Sequence, residues 1–393
     1  MGRLDNKVAL ITVINLSHTA VLNGVPGTSL LAATKGGLTN MIQNMSLQGS
    51  REGFRVNCVC VGSTFVPVIP SQLEENTQQT ITAEALAPTF VYLASDDSRH
   101  MHGHTLVVDD GMHAWVEGRG MLMPDRQSLQ VSAPTGAGYL ADQVALITAG
   151  GGGIARACAK LFASEGAKIV LADINGEAAG VTAAEVRAAG GEAIATSANA
   201  LNADDCVRIV NETVERFGKL TVLVNLVGFF GGKGEGGVDT VSLDEWDWMM
   251  DINLKSVFMM SKYAIPEMIR AGGGAIVNTG TLAAVVGRGG SPCYGTGKSG
   301  VLALTRAMAA DYFQQGVRVN ATCPSATDTA MLAGLRSPEE AAQVKDRFRL
   351  GQMGLTKPEE IAPTFLFLAS GQLSAKVTGH ILMADNGFSM MRV

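Results

Sequence analysis

The sequence predicts an α/β protein built on a doubly wound parallel sheet and preceded by a partial second copy of the same fold. Three observations carry this expectation. From Val144 onward, short continuous apolar runs alternate with amphipathic helical stretches, the pattern of a parallel sheet covered on both faces. A glycine-rich stretch, Thr148-Ala149-Gly150-Gly151-Gly152-Gly153-Ile154-Ala155, falls between the first of these strands and the first helix. Landmarks late in the chain also have early counterparts: Arg55-Val56-Asn57 returns as Arg318-Val319-Asn320, and residues 87–95 return, nearly unchanged, as 362–370.

Taken in order, the later copy opens with a strand at 144–148 and a helix at 154–165, then a strand at 168–172 and a helix at 177–189. Further strands are expected at 193–196, 220–225, 275–279 and 317–322, with helices between them and one helix running from Tyr294 to about residue 310. A sheet of this kind places its ligand at the carboxyl ends of the strands. The first copy is shorter. A strand-like run at 7–12 leads almost directly into 14–17, as if a first strand were spliced onto a fifth, and a helix near 32–47 and a final strand at 105–108 remain. Met, Pro, Gly and Ser are frequent after residue 112 and no period holds there. The expected division is a truncated structural segment at 1–112, a linker at 113–139 and a catalytic domain at 140–393.

Bulk properties narrow the function. The 393 residues are 47% hydrophobic and 17% charged, which suits a well-buried core, and the net charge of −6 argues against a nucleic-acid partner. The six cysteines form no C-x-x-C pair and most lie in apolar runs, so they read as reduced core thiols. No run approaches the roughly 18 apolar residues of a membrane span, and a cytoplasmic protein is expected.

The glycine loop lets backbone approach a pyrophosphate at a helix N-terminus, where free N–H groups and the helix dipole favour an anion. A flexible turn is the bland alternative, and the strand–loop–helix context speaks against it. Asp173 closes the second strand about 20 residues on, where a carboxylate accepts hydrogen bonds from an adenosine ribose and repels a 2′-phosphate, favouring NAD; a turn or helix-cap role is the alternative. Tyr294 and Lys298, four residues apart, share one helix face. A free phenol has a pKa near 10, and a neighbouring ammonium favours the phenolate, bringing it toward working range.

Together these residues identify 140–393 as resembling the short-chain dehydrogenase/reductase superfamily over essentially the family's full length. Asn225-Leu226-Val227-Gly228 after the fourth strand, Asn253 in Asp251-Ile252-Asn253-Leu254, and Pro324 after the sixth strand complete the motifs. The resemblance implies a Rossmann-like fold and an NAD-dependent oxidoreductase acting on CH–OH groups. Tyr294 would transfer the proton, Lys298 would lower its pKa and hold the nicotinamide ribose, Asn253 would anchor a water relay, and Thr281 would stand where the family's serine orients the substrate oxygen. Cofactor contacts are implied for Thr148, Gly150, Gly153, Ile154, Asp173, Ile174, Asn199, Ala200, Asn225, Val227, Gly228, Tyr294, Lys298, Pro324, Thr327 and Thr329. The expected partners are a small, partly apolar alcohol or ketone and further copies of the chain, with the first copy in subunit or domain contacts. Residues 326–350 would form a lid, its Met331, Leu332, Leu335 and Phe348 meeting the apolar substrate.

The sequence also departs from the family. Ala149 and Ala155 replace its first and last loop glycines, Ser325 replaces the glycine after Pro324, and Asn199 stands where an aspartate often meets the adenine. In the first copy, His18 and Leu31 occupy the places of Thr281 and Tyr294, and only Lys35 answers Lys298. That half has no group to shuttle a proton. The tract His100-Met101-His102-Gly103-His104 reads as a turn rather than a metal site, since His104 matches His380 at the start of a strand. Trp246 and Trp248 read as core, with Phe229 and Phe230 placed to wall a pocket. A non-catalytic dinucleotide-binding or scaffold protein is the alternative function, and a lyase on the same fold a third; retention of Tyr294, Lys298 and Asn253 favours the oxidoreductase.

Overall fold

The computed structural model describes residues 12–18, 54–61, 82–109, 138–286, 291–333, 355–387 and 389. Among these residues, the larger of two sheets is parallel and contains seven strands: β4 (Val144–Thr148), β5 (Lys168–Asp173), β6 (Ala193–Ser197), β7 (Val222–Asn225), β8 (Gly274–Thr279), β9 (Val317–Pro324) and β10 (Ile381–Ala384). Their order, β10-β9-β8-β7-β4-β5-β6, reverses direction between β4 and β7. That reversal opens a crevice at the strands' carboxyl ends. Each strand expected in the later copy is present, with bounds shifted by at most two residues.

Local sequence explains the elements. All five residues of β4 are buried, as required of a strand with helices on both faces. The following helix, α2 (Gly153–Ser164), buries Ala155, Ala157, Cys158, Ala159 and Phe162. Small residues there let the helix lie close against its neighbours. Next come α3 (Gly176–Ala188) and α4 (Ala203–Phe217). The Asn202 side chain caps α4, and Gly218, in the left-handed region at φ 83°, ends it. Then follow α5 (Leu243–Met250), α6 (Ser256–Arg270), α7 (Pro292–Tyr312), which starts with a proline in its first turn, and α8 (Pro358–Ala369). Among the described residues, no helix is long and apolar enough to cross a membrane. None of the six cysteines is in a disulfide, and all are buried.

The smaller sheet holds β1 (Thr12–His18), β2 (Arg55–Val61) and β3 (Thr105–Val108), in that order and parallel. The anticipated splice is one strand: β1 runs unbroken from Thr12 to His18, while 7–11 lie outside the described residues. Its register repeats that of the large sheet. Ile14 faces Asn57 as Val277 faces Asn320, and Cys58 faces Thr105 as Ala321 faces Ile381. The repeated Arg-Val-Asn has a physical purpose in both places. Arg55 donates to Ser95 O and Ser98 O, just past α1 (Ala83–Ala94), at 2.9 and 3.0 Å. Arg318 donates to Leu368 O and Ala369 O at the end of α8, at 2.8 and 3.1 Å. A guanidinium thereby supplies further donors to carbonyls at or just past a helix end, where intrahelical N–H partners run out. Asn57 accepts from His104 N and donates to Met101 O, as Asn320 does with His380 N and Val377 O.

The two regions meet through these matching parts. The rings of Tyr92 and Phe367 stack at 4.1 Å and 10°, and His104 Nε2 lies 3.0 Å from His380 Nε2. Each residue thus touches its own counterpart, the signature of a two-fold contact. One apolar core runs through both, joining Val59, Leu93 and Leu106 to Phe365, Phe367 and Leu382. The helix expected at 32–47, with Leu31 and Lys35, lies outside the described residues, and so does the linker except Gly138 and Tyr139. Those two are docked: Tyr139 N donates to Glu165 Oε2 and its carbonyl accepts from Ser370 Oγ.

Candidate active site

The residues singled out above gather at the carboxyl ends of β4, β7, β8 and β9. At β4, a side chain on Gly150 would press within 2.8 Å of Leu171 Cβ, and one on Gly151 within 2.5 Å of Ala178 Cβ. The loop therefore has to be glycine at both positions. Ala149 has φ 53°, the left-handed conformation its alanine side chain disfavours. Asp173 at the end of β5 accepts from Gly151 N at 3.0 Å and from Asn175 N at 2.8 Å. It ties the glycine loop to the next strand, while Asn175, not Asp173, caps α3. Beside it Ile174 is 73% exposed, an apolar side chain left open to solvent. Asn199, also exposed, turns its own loop by accepting from Leu201 N at 2.9 Å, and Ala200 follows it.

Two predicted cofactor residues use their side chains inside the fold. Thr148 Oγ1 accepts from Leu226 N at 2.9 Å and pins the end of β4 to that of β7. Asn225 donates to Asn278 Oδ1 at 2.9 Å, and Asn278 donates to Thr305 Oγ1 at 2.9 Å, a buried chain through β7, β8 and α7.

The centre of the site is Gly228. A Cβ there would lie 2.9 Å from Lys298 Nζ and 3.1 Å from Asn253 Oδ1, so only glycine keeps these two polar atoms close together. Asn253 is fully buried in one π-helical turn, Asp251–Lys255, set between α5 and α6. Such turns bulge a helix and redirect a side chain. Its amide accepts from Phe229 N at 3.0 Å and donates to Phe229 O at 3.1 Å, stapling the loop after β7. Lys298, 2% exposed, donates to Thr279 O at 3.0 Å and Val227 O at 3.3 Å. Burial lowers its pKa to about 8. Tyr294 lies one helical turn earlier on α7, its ring 5.0 Å from that of Phe230.

Thr281 follows β8 in extended backbone at φ −164°. Behind it sits Cys323, whose Sγ would be 2.5 Å from a Cβ at Gly280. The thiol accepts from the Thr281 main chain, and burial pushes its pKa up to about 12. Neither Gly280 nor Cys323 stood out in the sequence; the adjoining Thr281 and Pro324 were the only signal. After Pro324, Thr327 Oγ1 donates to Ser325 O at 3.2 Å. A Cβ on Gly153, the residue before Ile154, would meet Thr329 Cγ2 at 3.2 Å and Pro358 Cγ at 3.3 Å, so the loop after β9 closes over the start of α2. Met331 in the expected lid is 41% exposed; Leu335 and Phe348 lie outside the described residues.

Phe229 meets Trp248 edge-on at 4.9 Å, and Lys233 Nζ lies 4.9 Å above the Trp248 ring. Of the aromatic wall anticipated at Phe229 and Phe230, Phe230 stands beside Tyr294 and Phe229 packs on Trp248. The core reading of Trp246 is corrected: it is 38% exposed, because the short peripheral α5 buries only Met249.

The family described as Enoyl-(Acyl carrier protein) reductase matches residues 10–113 and 149–389. The chain belongs to the short-chain dehydrogenase/reductase superfamily. Among curated members of that superfamily, a 2,5-dichloro-2,5-cyclohexadiene-1,4-diol dehydrogenase of Sphingobium indicum is 36% identical over 254 residues, covering 65% of this chain and 99% of the relative. A cyclohexanol dehydrogenase of Acinetobacter sp. is 36% identical over 248 residues, 63% of this chain and 95% of the relative. The crystal structure of levodione reductase superposes with a TM-score of 0.60 at 31% identity, covering 64% of this chain and all of that one. The Rossmann-like parallel sheet is thus that of the superfamily.

Proposed function

We propose that this short-chain dehydrogenase/reductase is an NAD-dependent oxidoreductase that moves a hydride between the nicotinamide and a secondary alcohol or ketone carbon. Residues 140–393 form its catalytic unit, and residues 1–112 are a truncated, structural copy of the same fold. The carrying observation is the buried Lys298 held beside Asn253 across a side-chain-free Gly228, one turn after Tyr294. The residues fit the cofactor: two loop glycines that admit no Cβ, an acidic strand end at Asp173, and an exposed Ile174 suited to an adenine face. When bound, the nicotinamide supplies or accepts the hydride.

The chain's own groups manage the proton. In alcohol oxidation, Thr281 holds the substrate oxygen with its hydroxyl and Tyr294 Oη takes the proton as that oxygen becomes a carbonyl; reduction runs the same transfer backwards. The Lys298 cation favours the phenolate form of Tyr294. Asp173 disfavours a 2′-phosphate and selects NAD. Phe230 beside Tyr294, followed by Phe229 packed on Trp248, makes an apolar wall, and two of the relatives above are named for a cyclohexadiene diol and for cyclohexanol. A ring-bearing, partly apolar substrate follows.

The test is NADH formation from NAD and a panel of cyclic alcohols headed by cyclohexanol. Tyr294→Phe is expected to lower turnover by about 100-fold or more while leaving NADH binding within about twofold, because only the transferable proton is lost. Full activity in Tyr294→Phe would place the proton elsewhere. A tenfold preference for NADP would remove the role given to Asp173. An unmodified protein that binds NADH and turns over nothing on the panel would return the non-catalytic reading.

A further inference from the structure

We infer that His100, carried by the N-terminal region, is a positioning residue for the loop that follows β9, acting through Asn386 and Thr356. The inference rests on the proposed cofactor role of that loop.

The contacts form an unbroken path. His100 lies in the turn before β3, its side chain 13% exposed. Its Nδ1 is hydrogen-bonded to Asn386 Oδ1, and its carbonyl accepts from Asn386 N at 2.9 Å. Asn386, held at φ 57° just past β10, turns its amide nitrogen to Thr356 Oγ1 at 3.4 Å. Thr356, 1% exposed, brackets the loop with its main chain: its N–H donates to Ala326 O at 3.1 Å and its carbonyl accepts from Asp328 N at 2.9 Å. Its hydroxyl lies 3.4 Å from Ser325 Oγ. One residue beyond this bracket is Thr329, which with Pro358 packs on Gly153 of the glycine loop.

The direction of the bonds fixes the chemistry. Asn386 uses its amide N–H toward Thr356, so its oxygen faces His100, and His100 must present an N–H at Nδ1. Burial keeps the imidazole below its ordinary pKa and neutral near pH 7, one N–H being enough. Glu360 lies 3.9 Å from Arg99 Nη1, so the same turn also holds the first turn of α8 through that ion pair, while the neutral imidazole turns only a lone pair at Nε2 toward Glu360, 3.7 Å away. The N-terminal region therefore does more than cover an apolar face. It fixes the side-chain orientation of Asn386, which fixes Thr356, which holds the main chain of 326–328.

The experiment compares His100→Leu, His100→Asn and Asn386→Ala in the full chain. It reads NADH binding, steady-state kinetics and amide exchange at Asp328 and Thr356 without cofactor. His100→Leu keeps the bulk and loses the donor. It is expected to speed exchange at those two amides and weaken NADH binding about tenfold, the scale of one lost buried hydrogen bond, with kcat at saturating cofactor within about twofold. His100→Asn, whose amide nitrogen falls at the place of Nδ1, is expected to restore both. Asn386→Ala should reproduce His100→Leu, and the double variant should add nothing further. Unchanged exchange at Asp328 and Thr356 in His100→Leu overturns the inference, and so does faster exchange spread evenly over 138–387, the mark of a merely structural role. An unmodified protein that fails to bind NADH overturns instead the cofactor reading of the loop, which the exchange data identify separately.

Discussion

At Lys298, burial and charge oppose each other. Desolvation lowers the pKa to about 8, yet the proposed chemistry needs the cation beside Tyr294. The cation predominates below about pH 8 and is lost above it, so alcohol oxidation should fall as pH rises through that value. Stability should move the other way. The folded chain holds this proton less tightly than the unfolded chain does, so between about pH 8 and the ordinary lysine value of 10.5 the unfolded state binds more protons and stability rises with pH. A pH–rate profile set beside thermal melts checks both slopes, and Lys298→Met should flatten the second. Thr281 sits in the same small space. Thr281→Ser should turn over within about threefold of the parent, since the hydroxyl is kept, whereas Thr281→Val, which keeps the shape without the donor, should be slower by about 100-fold. Much of this constellation was legible in the sequence, Tyr294 and Lys298 from their spacing on one helix face, Asn253 and Thr281 through the resemblance to the family. Gly280 and Cys323 were not, because what matters about them is a close approach between β8 and β9 that no local pattern records.

The glycine loop shows how an element can be right in place and altered in detail. Strand, loop and helix lie where the apolar period put them, but Ala149 carries the left-handed backbone that the family gives to glycine. Ala149→Gly should therefore stabilise the protein, by up to about 1 kcal/mol once the added freedom of the unfolded chain is counted, measured as a rise in the urea midpoint. A fall would mean that the alanine methyl makes a packing contact worth more than its strain. The π turn at Asp251–Lys255 was illegible for another reason. One extra residue in a helical turn leaves the apolar pattern intact on either side, so nothing marks it. Trp246 failed in the opposite sense: helical spacing beside methionines suggested burial, but α5 is too peripheral to offer a second buried face.

Across the whole molecule, repetition was the strongest signal. Matching short motifs mark β2, α1 and β3 as counterparts of later elements, and the two sheets share a strand register. The contact between the regions was legible only as a need to cover apolar surface; that Tyr92 would meet Phe367, and His104 meet His380, follows from geometry. Burial lowers the pKa of His104 to about 4, below the ordinary histidine value of 6.5. Its contribution to stability is complete above about pH 6.5 and is lost as pH falls toward 4, because the unfolded chain takes up the proton first. Acidification from pH 7 to 5 should cost on the order of 2 kcal/mol at this residue. Melts of the parent and of His104→Gln across that range check it: the variant should lose less.

The same two-fold contact has a consequence for dilution. Between separate molecules, a face of this kind comes apart as the protein is thinned, since each encounter depends on concentration. Here both halves belong to one polypeptide, and the tether sets a local concentration that no change in bulk can alter. The pairing of Tyr92 with Phe367 is therefore as complete in a scarce protein as in an abundant one.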